Sequence, residues 1–169
     1  MRFTIVCITL VLSSQCWAFD FKGVVIGAAA TPEDIYQHLG VSCGEGHEGM
    51  QVCNGEVTIA HEPASMNLVI SPQGVVQRIA LTLAPEAFDE VAPVLIKKFE
   101  KPAGIDQSVV QNRMGAKFSQ TVYLWAGKGG IQLRYARYSG SLDRSTLDFS
   151  TRADRVLLQG DKKGRNSDI

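Results

Sequence analysis

The stretch SMNLVISPQGVVQRIALTLAPEAFDEVAPVLIKKFE, residues 65–100, decides the fold class because two strand patterns are followed by a helix pattern. Its first part predicts antiparallel strands at Met66–Ser71 and Val75–Leu83, joined by a turn at residues 72–74, where proline and glycine favour chain reversal. In the second strand the larger apolar side chains occupy the odd-numbered positions, so we expect that face to be buried. A strand pair followed by a helix indicates an α+β protein.

The second part of this stretch predicts the longest helix, from Pro85 to Phe99. Its apolar side chains recur at helical spacing and form a single stripe that would face a core: Phe88, Val91, Ala92, Leu95, Ile96 and Phe99. Pro93 lies inside this segment, and an interior proline removes a backbone hydrogen bond and crowds the preceding turn. We therefore expect a kink or a break at Pro93.

An earlier helix is predicted by its end signals in TPEDIYQHLG, residues 31–40. Thr31 is a suitable N-cap, Pro32 suits the first helical position, and Asp34 can complete a capping box. Gly40 supplies the C-terminal stop, because glycine readily adopts the left-handed conformation that ends helices.

Further strands follow in the C-terminal half of the chain. Residues 119–139 predict a hairpin that turns across Gly127–Gly130, and STLDFS, residues 145–150, predicts another strand. A second capping box at Thr151–Asp154 opens a short helix that we expect to end at Leu158. The prediction is an α+β domain with an antiparallel sheet and helices on one face. The order of a helix followed by antiparallel strands occurs twice in the chain, which suggests two structural repeats.

The first eighteen residues have the layout of a secretory signal peptide. Arg2 is positively charged, residues 3–12 are mostly apolar, and a small residue, Ala18, ends the segment. The alternatives are a buried N-terminal strand and a lipoprotein anchored through Cys16, although Gln15 stands where a lipoprotein would carry a small residue. We therefore expect a signal peptide at 1–18, a single domain at 19–159 and a disordered tail at 160–169.

The charge balance limits the partners that the exported protein would attract. Removing Arg2 leaves 16 basic residues, one fewer than the 17 of the whole chain, against 17 acidic ones. A net charge near −1 disfavours general attraction to nucleic acid or to anionic lipid. No later stretch is long and apolar enough to span a membrane. The sequence therefore predicts a soluble periplasmic or secreted protein.

The stretch CGEGHEGMQVCNG, residues 43–55, contains both cysteines that remain after signal-peptide removal. In an oxidising compartment we expect a disulfide between Cys43 and Cys53. A zinc site would add His47 and His61, but the spacing lacks the close ligand pairs of structural zinc sites, and redox motifs favour C-x-x-C. Asn54-Gly55 predicts a hairpin turn.

Catalytic motifs are absent from the sequence. There is no nucleophile elbow, and the glycine-rich segment at 127–130 lacks the frame of a phosphate-binding loop. We predict no catalytic residue, no metal and no cofactor.

The best candidate binding residues lie in the late hairpin. If the aliphatic side chains of residues 122, 124, 131 and 133 form the core, one outward face would carry Tyr123, Trp125, Arg134 and Tyr138. Tryptophan, tyrosine and arginine dominate interaction hot spots. The alternative is that the aromatic rings belong to the core and Arg134 lies at its edge. Arg113 and Lys117 could enlarge the outward patch or be ordinary surface charges.

The order of helices and strands, with HLG at residues 38–40 closing the first helix, resembles β-lactamase inhibitory proteins and the small lipoproteins that assist outer-membrane assembly. This resemblance implies a protein that binds other envelope proteins. Together with the missing catalytic motifs, it favours a non-enzymatic exported binding protein, for example an inhibitor or an immunity-type partner. The alternatives are an envelope-acting hydrolase with an unrecognised active site and an assembly or scaffold protein.

Overall fold

A computed structural model describes residues 19–166, and the predicted signal peptide lies outside the described residues. An eight-stranded antiparallel sheet dominates the fold and is accompanied by a two-stranded sheet and three α-helices. In chain order the elements are β1 (Asp20–Phe21), β2 (Val24–Val25), α1 (Pro32–Leu39), β3 (Ser42–Glu45), β4 (Gln51–Ile59), β5 (Glu62–Ile70), β6 (Val76–Leu83), α2 (Phe88–Phe99), β7 (Gly104–Gln111), β8 (Lys117–Ala126), β9 (Gln132–Ala136), β10 (Ser145–Ser150) and α3 (Arg152–Asn166).

The large sheet consists of two halves with the same plan. Its strand order is β3-β4-β5-β6-β10-β9-β8-β7, so each half is a four-stranded meander, and β6 pairs with β10 where the halves meet. A helix precedes each meander, α1 in the first half and α2 in the second. The two repeats expected from the sequence are therefore present, and the fold is α+β as predicted.

One face of the sheet, which we call the helix face, carries the core. A row of side chains directly opposite one another crosses five strands on this face: Leu68, Ile79, Phe149, Leu133 and Trp125. The predicted apolar stripe of α2 belongs to the same core cluster, as does Ile35 of α1, except that Ile96 is exposed. The odd-numbered face of β6 is buried as predicted, with Ile79, Leu81 and Leu83 in the core.

The predicted signals at the ends of α1 are all present. The Thr31 hydroxyl accepts a hydrogen bond from the Asp34 backbone, and the Asp34 carboxylate accepts one from the Thr31 N–H. Gly40 has φ 70° and ends the helix, and its N–H donates to the carbonyl of Tyr36. Local sequence alone therefore determines both ends of α1.

Helix α2 runs from Phe88 to Phe99 without a break at Pro93, and Pro93 lies on its exposed side. The kink that was the other expectation at Pro93 stays a prediction. A core-facing stripe on either side of the proline holds the helix together, because Val91, Ala92 and Leu95 are all buried. Burial of that stripe outweighs the cost of one missing backbone hydrogen bond.

The predicted turn at Asn54-Gly55 is wrong, because both residues lie inside β4. A Cβ atom at residue 55 would lie 2.5 Å from Cγ1 of Val41, so glycine is needed there for close packing. The real chain reversal is the two-residue turn Ala60-His61, where both residues have positive φ, 51° and 69°. Positive φ at both positions is the geometry of a type I′ hairpin, here formed without glycine.

Helix α3 extends past its predicted end and lies apart from the other two helices. It starts after Thr151, whose hydroxyl accepts a hydrogen bond from the Asp154 backbone, and it continues to Asn166. The Asp154 side chain approaches Arg78 on the opposite face of the sheet, which we call the open face. The helix face and the open face therefore have different helical neighbours.

Candidate functional site

The disulfide joins two neighbouring strands and accounts for both cysteines of the described chain. Cys43 on β3 and Cys53 on β4 lie directly opposite each other, with a Cα–Cα distance of 3.9 Å. His47 and Glu48 are exposed in the turn beyond them. Because the two sulfurs bond to each other, the alternative Cys₂His₂ zinc set does not form. Within the described residues no group of three His, Cys, Asp or Glu side chains could hold a metal ion.

The four predicted binding residues do not share one face, which corrects the expected orientation of β8. Trp125 is only 3 % exposed, and Tyr123 packs against the core cluster on the helix face. Val122 and Leu124 point to the open face instead. The aliphatic side chains of β8 are therefore not on the core side, whereas Leu133 of β9 is in the core and Ile131 packs against it as expected. The alternative that the aromatic rings belong to the core describes Tyr123 and Trp125.

The rings face inward because α2 provides an aromatic partner for them. Tyr123 stacks on Phe88 of α2, with 5.7 Å between ring centroids, and Tyr135 stacks on the same ring at 4.6 Å. The indole Nε1 of Trp125 donates a 2.9 Å hydrogen bond to the carbonyl of Glu100, just after α2. Each ring thus gains apolar contact, and the indole N–H gains an acceptor, as buried tryptophans require.

Arg134 and Tyr138 lie on or beside the open face, away from the other two candidates. Arg134 is opposite both Leu124 and Asp148 in the strand register. Tyr138 follows β9, and its backbone exchanges hydrogen bonds with the Gln120 side chain. The structure therefore leaves no joint patch of all four residues, and binding by any one of them remains a prediction.

The end of the β7–β8 hairpin carries the most exposed apolar side chains of the described hairpins. β8 pairs with β9 only from Val122 to Ala126, whereas it pairs with β7 along the whole of β7. Residues 107–121 therefore extend beyond the β9 ladder, and we call this two-stranded segment the arm. The chain after β9 still contacts it, because the Arg137 N–H donates to the Thr121 carbonyl and the Tyr138 ring packs edge-on against Phe118. Val109 in the arm is 65 % exposed, and Met114 at its tip is 91 % exposed.

The tip of the arm is an ordered turn built by Asn112. The side-chain Oδ1 of Asn112 accepts hydrogen bonds from the backbone N–H groups of Met114 and Ala116, at 3.0 and 2.9 Å. Its backbone N–H donates to the carbonyl of Ala116 at 3.0 Å. Such side-chain-to-backbone bonds are the usual device of asparagine in turns. They fix the position from which Met114 projects.

The outer edge of β7 carries no partner strand among the described residues, so its backbone groups on that side face outward. The strand is eight residues long and contains neither proline nor lysine, the residues with which proteins commonly protect an edge. Ile105 and Val109 expose apolar side chains along it. The sequence pattern does not predict this strand, because GIDQSVVQ lacks clear alternation of apolar and polar residues.

A charged cluster lies on the open face, where Arg78 is close to two carboxylates. Nη1 of Arg78 is 3.9 Å from Oδ2 of Asp154, and Nη2 donates to the side chain of Asn67 at 3.4 Å. Burial raises the pKa of both Asp148 and Asp154, and the positive charge of Arg78 opposes each shift. Arg78 Nε, Asp148 Oδ1 and Asp154 Oδ2 have no hydrogen-bond partner in the described part of the chain.

Comparisons with known proteins give no match: no family model, no curated protein and no solved structure is significantly similar to the chain. The resemblance to β-lactamase inhibitory proteins and assembly lipoproteins therefore rests on the order of helices and strands. Across residues 19–166, no helix combines the length and hydrophobicity needed to cross a bilayer.

Proposed function

We propose that the protein is an exported, non-enzymatic binding protein whose partner is another protein of the cell envelope. The observation that carries this proposal is the arm with its free edge on β7. Unpaired N–H and C=O groups in a row are complementary to one kind of occupant, an extended segment that adds a strand to the sheet. The exposed side chains of Ile105 and Val109 supply apolar contacts beside those hydrogen bonds.

Export is supported by the disulfide and by the N-terminal sequence. Disulfides persist in the periplasm and outside the cell, where thiols are not kept reduced. The bond between Cys43 and Cys53 suits that environment, as does the signal-peptide pattern of residues 1–18. An inhibitor or immunity-type role is one form of this function, because an ordered tip such as that held by Asn112 can enter a cleft of the partner.

Two valine substitutions distinguish binding at the β7 edge from nonspecific adsorption to exposed surface. Val109→Lys places a charge on the β7 edge, whereas Val94→Lys places the same charge on α2, where Val94 is 44 % exposed. Lysine on an edge strand disfavours the addition of another strand. Immobilised parent and Val94→Lys proteins should retain at least one common protein from an envelope extract, and Val109→Lys should retain much less of it.

Two outcomes would contradict the proposal. Equal retention of the same proteins by all three baits would remove the β7 edge as the docking surface. Alternatively, sedimentation could show that the parent forms a dimer that Val109→Lys dissociates, with no other protein retained. The occupant of the edge would then be a second copy of this chain rather than a different envelope protein.

A further inference from the structure

The backbone hydrogen bonds of the arm determine which residues of β7 an added strand would meet, and the inference drawn from them rests on the proposed function. The carbonyl of Thr121 on β8 accepts a hydrogen bond from the N–H of Arg137, so it points away from β7. Thr121 lies directly opposite Gln107. In an antiparallel ladder such a pair exchanges no hydrogen bonds, so the N–H and C=O of Gln107 point to the free side of β7.

The tip of the arm has the same alternation. The N–H of Asn112 donates to the carbonyl of Ala116 across the turn, so the backbone of Asn112 points inward. The backbone groups that point outward are therefore those of the odd-numbered residues, from Ile105 to Gln111. Residues opposite each other in a ladder share a face, and Asp106 is opposite Val122, which points to the open face. The even-numbered residues of β7 therefore carry their side chains on the open face.

A small cavity lies beside Val110 on the open face, between the arm and the chain after β9. Its volume is about 190 Å³, which is below the usual range of small-molecule sites and suits a single side chain. The Ser141 hydroxyl in its wall is already paired, because it donates to the Asp143 carboxylate and accepts from Nε of Arg144. The residues that line the cavity are Val110, Gln111, Tyr138, Gly140, Ser141 and Leu142.

Asp106 adds a charge to the same face of β7. It is exposed, and it is the one charged residue in the strand sequence GIDQSVVQ. Its position is four residues before Val110, so the carboxylate and the cavity lie along one side of the edge strand. Opposite charges that face each other across two strands stabilise the pair, and like charges destabilise it. Asp106 therefore favours a basic side chain on an added strand.

We propose that the β7 edge binds an extended antiparallel segment with a large apolar side chain opposite Val110 and a lysine or arginine opposite Asp106. Antiparallel addition continues the pattern of the sheet and gives the more stable pairing per residue. Because the segment runs against β7, its basic residue follows its apolar residue by four positions. The apolar side chain occupies the cavity beside Tyr138 and Leu142, and the basic side chain pairs with the carboxylate of Asp106.

Selection from a display library of random dodecapeptides tests this pattern. The immobilised parent protein should enrich peptides in which an apolar residue is followed four positions later by lysine or arginine. We expect the basic residue to be enriched about two- to fivefold over the unselected library, as for an exposed ion pair. The apolar residue should be enriched about tenfold or more, because its side chain becomes buried.

Three variants of the immobilised protein assign the pattern to its residues. Val109→Lys charges the edge itself and should abolish the enrichment. Asp106→Asn should retain the apolar preference and lose the basic one, whereas Leu142→Asn should retain the basic preference and lose the apolar one. These two asparagine variants are matched, because each changes the polarity of one side chain while keeping most of its bulk.

The possible results separate this inference from the proposed function. Peptides that bind the parent and not Val109→Lys, but show neither preference, would overturn the inference and leave strand addition at β7 in place. A basic preference that persists in Asp106→Asn, or an acidic preference in the parent, would overturn the assignment of Asp106. If the parent enriches no peptide that Val109→Lys fails to enrich, both the inference and strand addition at β7 are overturned.

Discussion

Trp125→Ala tests the orientation of β8, on which the assignment of exposed and buried surfaces depends. The ring is 3 % exposed within the core cluster, and removing a buried tryptophan typically costs about 3–5 kcal/mol. Loss of the indole N–H also leaves the carbonyl of Glu100 without its hydrogen bond. Glu100 is exposed, so water can replace the lost donor and the lost packing dominates the effect. We therefore expect unfolding to become easier by about 3–5 kcal/mol, a large part of the roughly 5–15 kcal/mol that stabilises a typical domain.

Urea denaturation followed by circular dichroism measures this change. Trp125→Phe keeps most of the apolar contact and loses only the hydrogen bond, so we expect it to cost about 1–2 kcal/mol. Arg134→Ala is the matched control on the open face, where we expect a change within about 1 kcal/mol. A loss below about 1 kcal/mol for Trp125→Ala would show that the ring is exposed, and it would refute the inward orientation of the aromatic face.

Four further predictions concern packing, backbone strain, the disulfide and pH. Gly55→Ala should destabilise the protein by about 1–3 kcal/mol because its methyl group would collide with Val41, and Val41→Ala should restore much of the loss in thermal unfolding. Glu100→Gly should raise the melting temperature, because Glu100 has φ 61° and ψ −163°, a conformation that costs other residues about 1–3 kcal/mol. Reduction of the disulfide should lower stability in urea by about 2.5–3 kcal/mol. Burial raises the pKa of Asp148 in the folded protein. Its protonated carboxyl therefore contributes to the free energy of unfolding at acid pH, and this contribution is lost as the pH rises through the pKa of the folded state. The stability gained by Asp148→Asn should therefore grow between about pH 3 and about pH 7 in parallel denaturation curves, and a constant difference would contradict this reasoning.

The parts of the fold that the sequence predicts are those determined by nearby residues. The ends of α1 follow from Thr31 and Gly40, whose conformations and hydrogen bonds depend only on their own neighbours. The strand STLDFS is β10 with the predicted bounds, Ser145–Ser150. Helical periodicity also identified the core stripe of α2, because residues spaced by three or four positions share one side of any helix.

The parts that the sequence does not predict depend on distant residues. Both faces of β8 carry apolar side chains, so only the position of Phe88 on α2 determines that Tyr123 and Trp125 face inward. The sequence suggests that Gly55 is a turn residue, but glycine is needed there because Val41, from a different element, packs closely against it. The pairing of Arg78 with Asp154 joins β6 to α3, and the capping box that contains Asp154 does not indicate a contact with the distant Arg78.

Site-specific photo-cross-linking in intact cells tests the central claim, that the β7 edge receives an extended segment of another envelope protein. A photoreactive phenylalanine at Val109 would face that segment directly, and the same residue at Val94 on α2 is the control. We predict a discrete cross-linked product with a different protein from position 109, and no such product from position 94. Identical patterns from both positions, or only dimers of this chain from position 109, would contradict the claim.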